Sequence, residues 1–143
     1  MSYTTGKNSV SQYSSVNSYT GVTDANPHQL VQMLLDGALG KLSAVKGLIE
    51  RNDTAKKGQV IGQAISIIGG LRSSLDMEKG GEIATNLDNV YEYMERQLVQ
   101  ANLNNDVAIV IEVVTLLREI KLAWESIPAE ARLKSPELSI VSR

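Results

Sequence analysis

Side chains able to do covalent or acid–base chemistry are few in this 143-residue chain. Cysteine is absent, which closes thiolate catalysis, disulfides and thiolate metal sites. Histidine occurs once, as His28. A carboxylate-bridged metal site in a helical bundle needs inward Glu-x-x-His pairs on facing helices. His28 is followed by Gln29 and Leu30, so that site cannot be assembled. Asp76, Glu78 and Glu82 crowd around Lys79-Gly80-Gly81 and could imitate a metal cluster. They also stand at a helix junction, where acids act as caps and first-turn charges. Gly80-Gly81 lacks the lysine and Ser/Thr of a phosphate loop. Gly58-x-x-x-Gly62 drives membrane helix pairing only inside an apolar span, and no such span exists here. The chain therefore reads as a non-enzyme without metal or cofactor.

Punctuation along the chain predicts four helices that would have to position anything functional. Asn26-Pro27 is an N-cap followed by proline at the first helical position, where a missing N–H costs nothing. The first helix runs to about Glu50, with Val31, Leu34, Leu35, Ala38, Leu42, Val45 and Ile49 on one side. Arg51-Asn52-Asp53 breaks it, and Asn52 or Asp53 can cap the second, which runs to about Leu75. The third spans about Glu82 to Asn102 on a seven-residue rhythm of Leu87, Val90, Tyr91, Met94, Leu98 and Ala101. Asn104-Asn105-Asp106 turns the chain into the fourth, which ends at Ile127 before Pro128. The β-branched run Val107–Val114 could pass for a buried strand. It continues unbroken through Leu116, Leu117, Ile120 and Trp124, and no second strand exists to pair with it, so helix is the reading. Short links between long amphipathic helices imply an all-α, antiparallel up-down four-helix bundle.

Three regions follow. Residues 1–25 form an N-terminal segment, 26–127 the bundle, and 128–143 a short tail. The first region is rich in Ser, Thr, Asn and Tyr and nearly uncharged, which reads as flexible. Val10, Tyr13, Val16, Tyr19 and Val22 nonetheless recur every third residue, a stripe that could lie as a short helix along an apolar groove. A net charge of −2 gives no electrostatic case for nucleic acid or anionic lipid. The first residues lack a basic region followed by an apolar one, so a cytoplasmic location without membrane insertion is expected.

Apolar residues cover roughly half the circumference of the first helix and more of the fourth, wider than the stripe of about 100° that one core requires. The surplus calls for a cover: further packing, the N-terminal segment, a second copy (a homodimer of the free chain) or a partner. In the second helix, Ala55, Gly58, Gly62, Ser66, Gly69 and Ser73 line one face. Each interior glycine costs about 0.5–1 kcal/mol relative to alanine. That cost suits either tight packing inside the bundle or the docking of a foreign helix.

Residues Asn26-Pro27-His28-Gln29-Leu30-Val31-Gln32-Met33-Leu34-Leu35-Asp36-Gly37-Ala38 resemble the opening helix of the bacterial flagellin export chaperone family, FliS. So do Ser74-Leu75-Asp76 through Gly80-Gly81-Glu82-Ile83-Ala84 and Asn86-Leu87. Tyr91-Glu92-Tyr93-Met94 with Arg96, Leu98 and Ala101-Asn102 extends the likeness, as do Glu112-Val113, Leu116-Leu117-Arg118-Glu119 and Ala123-Trp124. It covers roughly residues 10 to 127. Leu35 stands where the family usually has an aromatic, and Asn26 where serine is common. The resemblance implies a cytoplasmic bundle that binds the disordered C-terminal segment of flagellin, prevents early polymerisation and helps deliver it to the flagellar type III export gate. On that reading the client-binding residues are Ile61, Gly62, Ile65, Ile68 and Leu71 of the second helix with Tyr91 and Met94 of the third. Val10, Tyr13 and Tyr19 would cover the empty groove or meet the export gate. The alternative is a generic helical adaptor or regulator with another client.

Overall fold

A computed structural model of the chain describes residues 26–128. Every regular element among them is a helix: α1 (Pro27–Leu42), α2 (Val45–Glu50), α3 (Thr54–Ser73), α4 (Met77–Asn104) and α5 (Val107–Glu125). Four are long and α2 is a short insertion, so the predicted all-helical class holds. The Val107–Val114 run lies inside α5, where Val110 and Val113 are buried and Asp106 caps the first turn.

Side chains written at the breaks make the starts. Asn26 accepts from the Gln29 backbone N–H while Gln29 returns a bond to the Asn26 N–H, a reciprocal capping box before Pro27. Asp53, Asp76 and Asp106 cap α3, α4 and α5 in turn. Asn52 and Asn105 take the left-handed backbone at the two bends, a conformation asparagine tolerates better than most residues.

Two boundaries differ from the sequence reading. The first predicted helix is interrupted at Ser43-Ala44, where the Ser43 hydroxyl donates to the Gly40 carbonyl and Ala44 N–H to that of Lys41. That back-bonding tightens the turn without reversing the chain. The link expected from Asp76 to Gly81 is mostly helical. Asp76 accepts from the N–H groups of Glu78 and Lys79 and so starts a turn five residues before the predicted boundary. Gly81 then breaks the path at φ 54°, ψ −129°, a backbone essentially confined to glycine.

Each long helix lies against two others: α1 with α3 and α5, and α4 with α3 and α5, while α2 packs on α3 and α5. One core fills the centre, with Leu35, Ile61, Ile68, Leu71, Met94, Leu98, Leu117 and Ile127 fully enclosed. Each such side chain contributes about 1.5–3 kcal/mol relative to exposure, which holds the surfaces described next in fixed relation.

Candidate functional site

The residues singled out on the second and third predicted helices divide by depth. Ile61, Ile68 and Leu71 on α3, with Tyr91 and Met94 on α4, are buried under the chain's own helices. Ile65 is half-buried and packs on the edge of the core, and Gly62 is exposed. In this conformation only Gly62 and Ile65 of that set reach a surface. Val10, Tyr13 and Tyr19 lie outside the described residues. Periodicity marked an apolar face on each helix; it carried no signal about which neighbour covers it.

The small-residue face of α3 lies open at its middle. Among the described residues, a Cβ added at Gly58 or Gly62 would meet no heavy atom within 4 Å, and one at Gly69 would stand 3.6 Å from Glu95 Oε2. Close approach of another helix among the described residues therefore does not account for Gly58 and Gly62. Apolar side chains are uncovered elsewhere too. Ile111 and Leu122 on α5 are 57% and 67% exposed, and Leu103 on α4 is 70% exposed. Part of the surplus read from the fourth predicted helix thus faces outward.

Polar contacts tie the seams between helices. Across α3 and α4, Arg72 donates from Nε to Asp88 at 2.8 Å and from a terminal nitrogen to Glu95 at 2.9 Å. Those bonds, Asp88's foremost, hold the guanidinium above its already high ordinary pKa against the opposing effect of partial burial. Lys57, buried near the start of α3, donates to the Asn102 carbonyl at 2.8 Å and to the Asn105 side chain, satisfying the end of α4. Tyr93 donates to Glu112 across α4 and α5 at 2.7 Å, which raises its phenol pKa. Across α1 and α5, Lys121 lies 2.8 Å from Asp36, a bond that raises the amine's pKa.

His28 and Trp124 form a buried polar pair on the α1–α5 seam that the sequence reading missed. Their rings stack at 4.9 Å with 8° between planes. Trp124 Nε1 donates to the His28 carbonyl, and His28 Nε2 donates to the Trp124 carbonyl, both at 2.9 Å. A histidine so engaged, with a tryptophan and a backbone carbonyl as partners, is built for structure rather than proton transfer to a substrate. Its signal was faint: a lone histidine in the first turn of one helix and a lone tryptophan in the last turn of another. Among the described residues no three His, Cys, Asp or Glu side chains gather closely enough to hold a metal ion. No described helix is long and apolar enough to cross a membrane.

A model of the family described as flagellar protein FliS matches residues 9–131. The flagellar secretion chaperone FliSB of Pseudomonas aeruginosa is 50% identical over 116 residues, covering 81% of this chain and 92% of the relative. The flagellar secretion chaperone FliS of Salmonella typhimurium is 46% identical over 123 residues, 85% of this chain and 91% of the relative. That of Bacillus subtilis is 32% identical over 104 residues, 73% and 77% of the two chains.

Proposed function

We propose, from the premise that this chain belongs to the flagellar protein FliS family, that it is a cytosolic secretion chaperone for flagellin. Its client is the disordered C-terminal flagellin segment, which it keeps from polymerising early and passes to the flagellar export gate. The observation that carries the reading is a family match extending across the entire described body, with relatives named flagellar secretion chaperones.

The geometry is favourable in two respects. Contacts pair the beginning of α1 with the end of α5 (His28 with Trp124), a later turn of α1 with an earlier turn of α5 (Asp36 with Lys121), and the end of α3 with the first half of α4 (Arg72 with Asp88). This supports an antiparallel up-down bundle, which presents long parallel furrows to an amphipathic guest. The open face around Gly62 and Ile65, and the uncovered Ile111 and Leu122, supply apolar surface without an energy-consuming site. Ordering a disordered client costs about 2–5 kcal/mol or more of the gross interaction energy, and extended apolar contact offsets it. Tyr13 and Tyr19, with Val10, cover that surface in the free chain and yield it to the client. Where they do not, a second copy covers it. The buried Ile61, Ile68, Leu71, Tyr91 and Met94 meet the client only where helices separate.

Isothermal titration of the full chain with a peptide of the last segment of flagellin tests the reading. One-to-one binding is expected. Absence of heat at any accessible concentration would transfer the chain to the adaptor class. Deleting residues 1–20 should raise apolar-dye binding and speed flagellin association; no change in either would remove the covering role of that segment.

A further inference from the structure

Three of the four seams between long helices are bridged by the chain itself. Residues 43–53, including α2, join α1 to α3; residues 74–76 join α3 to α4; residues 105–106 join α4 to α5. The α1–α5 seam has no covalent bridge, because its helices are the first and the last of the described chain. It is closed instead by side chains that run from the first turn of α1 past its middle, and by the packing of α2 on α5. His28 and Trp124 stack and exchange hydrogen bonds, Gln32 donates to Glu125 at 3.2 Å, and Lys121 pairs with Asp36. The opposite seam, α3–α4, carries Arg72 bonded to both Asp88 and Glu95 and continues directly into the Gly81 bend.

From this we infer that the α1–α5 seam is the edge at which the body opens, with the His28–Trp124 pair as its latch and the α3–α4 seam as its spine. Folded proteins open in cooperative parts at free energies below that of global unfolding. A seam without a chain link parts with the least disturbance of the rest, since α1 keeps α3 and α5 keeps α4, and only the packing of the short α2 on α5 is lost with it. The flanking ion pair is solvent-exposed and contributes little. The latch is buried, and each of its bonds reaches a main-chain carbonyl, so its rupture is the costly step. Behind it lie Val31, Leu35, Leu117 and Ile127, neighbours of the latch in the chain and all in the core. Parting the seam offers them to an amphipathic helix. This use of the opening rests on the chaperone reading; the opening itself does not.

The indole N–H of Trp124, the only tryptophan, reports the latch directly. Its hydrogen exchange by NMR in the free chain should have a urea dependence well below that of global unfolding, while the amides of Ile68 and Met94 stay protected. His28→Phe keeps a stacked ring but removes the Nε2 donor, and should increase indole exchange about tenfold. Should the variant not fold, the wild-type measurement decides. Indole exchange with the same rate and urea slope as Ile68 and Met94 would overturn the inference. The chain has no native cysteine, so Gln32→Cys with Glu125→Cys, joined through a short bis-methanethiosulfonate linker that spans the reach of the two longer native side chains, gives a single reducible staple across the seam. Stapling should weaken binding of the flagellin peptide by about tenfold or more, with recovery on reduction, because it removes the competent population. Equal affinity in both redox states would refute client entry at this seam. Failure of the unstapled chain to bind would instead sink the chaperone reading, and the indole exchange would still decide the latch.

Discussion

Gly62 offers the sharpest test of the surface assignment. It lies inside α3 with ordinary helical backbone, and a Cβ there meets no heavy atom within 4 Å. Gly58, one turn earlier, is equally open. With no steric term, what remains is the backbone freedom that glycine surrenders in a helix, about 0.5–1 kcal/mol per position relative to alanine. Gly62→Ala should therefore stabilise the free chain by that amount, and Gly58→Ala with it by about 1–2 kcal/mol. The pair should raise the melting temperature by roughly 4–8 °C at the size of this body. Gly69→Ala should gain less, because its Cβ would stand 3.6 Å from the Glu95 carboxylate that already serves Arg72. Urea midpoints, with unchanged slopes, are the assay. Destabilisation at position 58 or 62 would refute the reasoning, since it would mean that whatever covers this face in the free protein packs too closely to admit a methyl group. Gly62→Leu extends the test: the fold should survive, and flagellin binding should fall if the guest docks at this face.

Three further outcomes follow from other sites. Gly81→Ala should destabilise by about 1–3 kcal/mol in urea denaturation although its Cβ meets nothing, because only the positive φ opposes it; a neutral effect would mean that the bend relaxes. Lys57→Met should cost about 1–3 kcal/mol by leaving the Asn102 carbonyl and the Asn105 side chain without their donor, and loss of amide protection at the end of α4 would locate the damage. Burial pushes the Tyr91 phenol well above its ordinary 10.0, so above that pH the unfolded chain releases a proton the folded chain retains. Stability that is complete below pH 10.0 should be lost as pH rises through the folded value, and Tyr91→Phe should lessen that alkaline loss. An identical alkaline profile in the variant would show that Tyr91 is hydrated.

Helix identity and most boundaries were legible because they are local. Asn26-Pro27, Asp53 and Asp106 announce caps through side chains that bond within three residues. The α1 break at Ser43 was illegible, since a serine can either bond back to its own helix or leave it intact. Asp76 was read as part of a link because Gly80-Gly81 outweighed the cap before it, although only Gly81 departs from the helix. The site was less legible for a different reason. Burial of Ile61, Ile68, Leu71, Tyr91 and Met94 depends on which helices face them, a relation between residues far apart in the chain. The family motifs around Ser74–Leu87 named the class; they did not distinguish core from surface.

The unbridged seam also orders assembly. Arg72 meets Asp88 across 16 positions of chain, whereas His28 meets Trp124 across 96. A loop six times longer costs about 1.6 kcal/mol more to close. During synthesis the α3–α4 hairpin can form as soon as residue 95 is free of the ribosome. Ring closure must wait for Trp124, almost the last of the described residues to be made. Until then α1 is a helix with one face unmatched, and the nascent protein itself passes through the exposed state that a chaperone exists to prevent in others.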